Sequence, residues 1–151
     1  MDHFNLCGLD KLGLSGSIPT EISKLKELEY LTMFENQIKG SIPYEIGKLD
    51  KLVSLDLYSN DIQGTIPEEF YYLTSLVNLH LGDNKLSGSI SDKIENMASL
   101  KVLYLSQNQF TGTFPGAVAN IETLGKLLRY FIGSCNMWLP TLILIFHYVL
   151  F

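Results

Sequence analysis

Arginine is almost missing from this chain. Of its 151 residues only Arg129 carries a guanidinium, and the remaining Lys+Arg total is lysine. Bidentate clamps for carboxylate or phosphate are therefore close to unavailable. Charge of either sign is sparse at 18%, and 11 Lys+Arg against 16 Asp+Glu leave a net charge of −5. That balance argues against a nucleic-acid partner, which needs a basic surface to neutralise phosphates. The two cysteines, Cys7 and Cys135, are far apart in sequence and suggest neither a disulfide framework nor a metal site. No metal or cofactor is expected. No Asn-x-Ser/Thr sequon occurs, the nearest being Asn5-Leu6-Cys7, which argues against heavy glycosylation. The first residues, Met1-Asp2-His3-Phe4-Asn5, are not a basic stretch followed by an apolar run, so no secretory signal peptide is expected.

What is present is a period of 24 residues, which sets the fold before any local propensity is weighed. Asn36, Asn60, Asn84 and Asn108 fall at this spacing. Gly16, Gly40, Gly64, Gly88 and Gly112 keep the same step in a second register. A third column reads Ile18, Ile42, Ile66, Ile90 and Phe114, and the residue after each is proline except at Ser91. Two apolar columns complete the set: Cys7, Leu31, Leu55, Leu79 and Leu103, then Leu9, Met33, Leu57, Leu81 and Leu105.

Within a unit, Leu55 and Leu57 are spaced by two, as in a strand with alternate side chains facing inward. Stacking the units would set these strands side by side at about 4.8 Å in a parallel sheet. The asparagine closes each strand where the chain turns inward, and its amide can donate to and accept from backbone groups of neighbouring coils. Glycine permits angles or close approaches that a Cβ hinders, and the Ile-Pro after it stiffens an extended stretch. The Thr65-Ile66 dipeptide suits a second, outer strand. Phe70, Leu73 and Leu76 then stand three apart, matching the inward stripe of a short 3₁₀ or α turn.

Written L-x-x-L-x-L-x-x-N-x-L-x-G-x-I-P, this unit resembles the plant-specific leucine-rich repeat of receptor-like kinases, receptor-like proteins and polygalacturonase-inhibiting proteins. The resemblance covers roughly residues 4 to 126. It implies an α/β repeat solenoid: a right-handed superhelix with a parallel concave β-sheet and short 3₁₀ or α turns on its convex side. The array is expected over residues 1–126, with a degenerate first unit in which Leu12 occupies the asparagine column, followed by four full repeats. It also implies a plasma-membrane or extracellular setting and a peptide, protein or co-receptor partner in signal perception. A soluble inhibitor like the polygalacturonase inhibitors, or a truncated product without independent function, are the alternatives. No Gly-rich nucleotide loop, His-Arg-Asp or Asp-Phe-Gly motif occurs, so kinase activity is not assigned and no enzyme is expected.

In this architecture the residues around each strand leucine point onto the concave face and define what is recognised. They are Thr32, Phe34 and Glu35; Asp56, Tyr58 and Ser59; His80, Gly82 and Asp83; and Tyr104, Ser106 and Gln107. Aromatics flanked by acids suit a partner with apolar and basic side chains, because aromatic anchors carry much of interface affinity. Asp56, His80 and Tyr104 share one column and are expected within reach of one another. An open sheet excludes little water, which weighs against catalysis there.

After Leu127 the register fails, with Arg129 and Ile132 in the leucine and asparagine columns. Residues 127–151 are therefore expected to form an out-of-register hydrophobic tail, whose stretch 133–151 is close to the roughly 20 residues of a membrane span. A membrane anchor, a lid on the last coil and unrelated sequence from a truncated or misspliced transcript compete, and the abrupt register loss favours the last.

Overall fold

The computed structural model describes residues 4–121, and the expected tail at 127–151 lies outside them. Among the described residues ten short strands alternate between two sheets. Strands β1 (Phe4–Leu6), β3 (Leu28–Thr32), β5 (Ser54–Asp56), β7 (Asn78–His80) and β9 (Val102–Tyr104) form one parallel five-stranded sheet in that order. Strands β2 (Ser15–Gly16), β4 (Gln37–Gly40), β6 (Asp61–Gly64), β8 (Lys85–Gly88) and β10 (Gln109–Phe110) form the other. Each coil closes with a 3₁₀ turn: Thr20–Lys24, Tyr44–Lys48, Glu68–Tyr72, Asp92–Asn96 and Gly116–Asn120. This is the leucine-rich-repeat solenoid that the period implies.

The apolar columns fill a continuous core between the two sheets and the turns. Leu31, Leu55, Leu57, Leu81, Ile46, Leu49, Leu52, Phe70, Leu73 and Leu76 are wholly buried. Strict register makes this possible, since Leu31, Leu55, Leu79 and Leu103 pair in sequence across the first sheet. Cys7 departs from its column. The pairing of β1 with β3 shifts register between Phe4 and Asn5, so Leu6 pairs with Leu31 and packs against the core in its place, and Cys7 is exposed.

The asparagine column joins adjacent coils. The Asn84 amide donates to Leu57 O at 2.9 Å in the preceding coil and to Leu81 O and Gly82 O in its own. Its side-chain oxygen accepts from Ile62 N–H at 3.0 Å. Asn60 and Asn108 repeat this pattern one coil away in either direction. Asn36 does so with a second acceptor bond, taking both Leu12 N–H and Leu14 N–H. Buried turn carbonyls that would otherwise lack donors are thereby satisfied.

The outer strand sits earlier than the Thr65-Ile66 dipeptide. It runs over Asp61–Gly64, because Gly64 at φ +85° turns the chain off the ladder before Thr65 is reached. The break in the proline column also has a structural cause. Tyr71 is buried between successive turns, and its hydroxyl accepts the Ser91 N–H at 3.1 Å. Proline at this position has no N–H to give. One coil earlier the matching position is Gly47, where an added Cβ would fall 2.5 Å from the backbone oxygen of Glu69. Neighbouring turns thus use opposite solutions, close backbone approach in one gap and an inserted ring in the next.

Candidate functional site on the concave sheet

The outward column of the first sheet runs Thr32, Asp56, His80, Tyr104 in paired register. Asp56 is fixed from two sides, accepting Tyr58 N–H at 3.0 Å on one oxygen and lying 3.2 Å from His80 Nδ1 on the other. The His80 and Tyr104 rings meet edge-on with centroids 6.2 Å apart. The three residues expected within reach of one another therefore do meet. His80 and Asp56 remain 38% and 21% exposed, so this pair works in a water-accessible setting where ion pairs contribute little.

The next outward column is Phe34, Tyr58, Gly82, Ser106, and its glycine shapes the surface. A Cβ at Gly82 would overlap the Tyr104 ring, which lies across the space a side chain would fill. From there Tyr104 reaches Tyr58 edge-on, with centroids 5.9 Å apart at 62°. The Tyr58 phenol is raised above the ordinary tyrosine range by burial, and further by the nearby charges of Asp83 and Glu35.

These groups line an open depression of about 780 Å³. Thr32, Phe34, Glu35, Asp56, Tyr58, His80 and Tyr104, all expected on this face, form most of its wall. Ser54, Asn78 and Val102 also line it and were not foreseen, although they stand one position before each strand leucine and so share the outward side. Ser59, Asp83, Ser106 and Gln107 lie outside this wall. Glu35, Ser59, Asp83 and Gln107 share a left-handed backbone, φ +51° to +57°, at the turn that ends each strand. Ser59 and Asp83 N–H groups carry the ladder one step further, to Gly82 O and Ser106 O.

At the first-coil end the surface already holds a cation. Lys11 Nζ lies 3.2 Å from Glu35 Oε1 and 5.7 Å from the Phe34 ring centroid. Asp10 secures this end, accepting from the Thr32 hydroxyl and the Phe34 N–H, each at 3.2 Å. Asp10 carried no sequence signal beyond its place one period before Phe34.

The sequence matches the leucine-rich repeat region family over residues 6–138. No curated protein matches it. Solved structures that resemble it include PEPR1 with AtPEP1, at 36% identity and a TM-score of 0.77 over 83% of this chain and 18% of that one. The plant peptide hormone receptor RGFR1 with RGF2 matches at 38% identity and TM-score 0.73, over 74% of this chain and 18% of that one. The BIR3–SERK2 complex from Arabidopsis thaliana matches at 38% identity and TM-score 0.70, over 74% and 60%. The chain thus spans about a fifth of the length of the first two receptors. Among the described residues no helix is long and apolar enough to cross a membrane. The chain belongs to the leucine-rich-repeat family and carries the form of the repeat found in plant receptor ectodomains.

Proposed function

We propose that the concave sheet is the docking surface for an extended peptide or a protein partner, and that the chain acts by binding and performs no chemistry of its own. The observation that carries this reading is the aromatic depression, in which side chains from successive strands converge while the framework beneath them stays regular. Rigid aromatics offer large contact area at low entropic cost, which suits them to anchor a partner. The openness of the same surface disfavours catalysis, since water is not excluded from Asp56 and His80. RGFR1 is described in complex with RGF2 and HAESA with the peptide hormone IDA and the co-receptor SERK1, so the proposed partner class is a secreted peptide or a co-receptor. The setting proposed with it is the extracellular side of a plant plasma membrane. Residues 127–151 are proposed to stand outside the binding array.

Selection of peptides from a displayed random library on the intact chain tests this. Selected peptides should lose affinity about thirtyfold or more when Phe34, Tyr58 and Tyr104 are all replaced by alanine, with the thermal unfolding profile little changed. Unchanged affinity in that variant would remove the concave sheet as the docking surface.

A further inference from the structure

The docking reading leaves open what chemistry the depression selects, and one part of it is specific. We infer that the surface around Tyr58, Tyr104 and Asp83 is a subsite for a cationic side chain, lysine or arginine, of the docked peptide; this rests on the proposed concave docking surface.

The chain contains its own example of such recognition. Lys11 is held by the Phe34 ring and the Glu35 carboxylate together, the combination of aromatic face and acid that favours an ammonium. One coil on, Tyr58 stands in the column of Phe34, between strand ends that carry acids: Glu35 N–H donates to Tyr58 O at 2.8 Å, Ser59 N–H beside Tyr58 donates to Gly82 O beside Asp83, and both acids raise its phenol. Here no cation among the described residues stands against Tyr58 or Asp83. Glu35 is engaged by Lys11 and Asp56 by His80, whereas the Asp83 carboxylate has no hydrogen bond or ion pair among the described residues. Tyr104, laid over Gly82, supplies a second ring to Tyr58. The result is two tyrosine rings in the wall of an open depression, with the unengaged Asp83 carboxylate just outside that wall on the residue after Gly82, over which Tyr104 lies, on a chain of net charge −5. A guest bringing one positive charge and an aliphatic stem would meet apolar and electrostatic partners at once.

The test uses the intact chain with ¹³C-labelled tyrosine and four capped pentapeptides, Ala-Ala-X-Ala-Ala, in which X is arginine, lysine, citrulline or leucine. Citrulline keeps the shape of arginine and removes its charge. The arginine and lysine peptides should shift the Tyr58 and Tyr104 ring signals saturably, at roughly fivefold higher affinity than the citrulline peptide. Asp83→Asn should bring arginine down to the citrulline level. Asparagine tolerates the left-handed backbone at this position, so that variant keeps the fold. Equal shifts from arginine and citrulline, or an unchanged arginine preference in Asp83→Asn, would overturn the cation subsite and leave the docking surface standing. No shift of either ring by any of the four peptides would overturn it too. The docking surface itself is decided separately, by whether library-selected peptides depend on the three aromatics.

Discussion

The two sheets are cut from the same 24-residue step, yet they present different chemistry to solvent. The concave sheet carries Phe34, Tyr58, His80 and Tyr104 among acids, and its side chains interlock across strands. The outer sheet shows Gln37, Lys39, Gln63, Lys85 and Ser87, joined across strands by the exposed ion pair of Lys85 with Asp61 at 2.6 Å and by the Ser87 hydroxyl donating to Gly64 O at 3.3 Å. Interior columns and the asparagine ladder hold both sheets in register, so neither depends on its outward residues to form. The outward residues are free to specialise: those of the concave sheet line a depression of about 780 Å³ with aromatic rings, and those of the outer sheet line one of about 590 Å³ with polar side chains and glycine.

Removing the shared framework should affect both sheets at once and most strongly. Asn84→Leu strands the buried Ile62 N–H and takes one of two donors from each of the carbonyls of Leu57, Leu81 and Gly82, which keep Asn60, Asn108 and the Ser59 N–H respectively. A loss of about 3 kcal/mol is expected in denaturant unfolding, from one stranded buried donor and three lost hydrogen bonds. Gly47→Ala attacks a single gap between coils, where the new Cβ would press on the Glu69 backbone. A cost of about 1–3 kcal/mol should appear in the same measurement, with the concave side chains undisturbed.

A smaller effect separates the gap at Tyr71 from its neighbours. Burial raises the Tyr71 phenol, partly offset by the Ser91 N–H, which favours the ionised form. A raised folded value means the fold prefers the neutral phenol. Its contribution is therefore complete below the unfolded value of about 10 and is lost as pH rises through the folded one. Thermal unfolding above pH 10 should fall less steeply in Tyr71→Phe than in the unmodified chain, and identical slopes would show that this ring does not ionise with unfolding. Smallest of all should be Gln63→Ala on the outer sheet, within about 0.5 kcal/mol in stability and without effect on peptide binding.

The framework was legible in the sequence because every coil must solve the same problem. Asn60, Gly64, Leu55 and Leu57 each face equivalent surroundings one coil away, so their identities repeat and the period exposes them. The candidate site was legible only in outline. Columns placed Asp56, His80 and Tyr104 together, but the tilt of Tyr104 over Gly82 depends on a missing side chain in one coil, and a repeat consensus averages such singular events away. The same holds for Ser91. Its departure from proline was visible, whereas its cause, the hydroxyl of Tyr71 twenty residues earlier, lies in a pairing of two exceptions that no column contains. Ser54, Asn78 and Val102 face the depression from the position before each strand leucine, but they share no residue type, so no column marks them in the sequence.

The most direct test of the difference between the sheets is where a bound peptide touches. A library-selected peptide carrying one photoreactive residue, irradiated on the intact chain and mapped by mass spectrometry, should crosslink to the segments holding Phe34, Tyr58, His80 and Tyr104. Crosslinks gathered instead on Gln37, Gln63, Ser87 and Gln109 of the outer sheet would contradict the assignment of binding to the concave face.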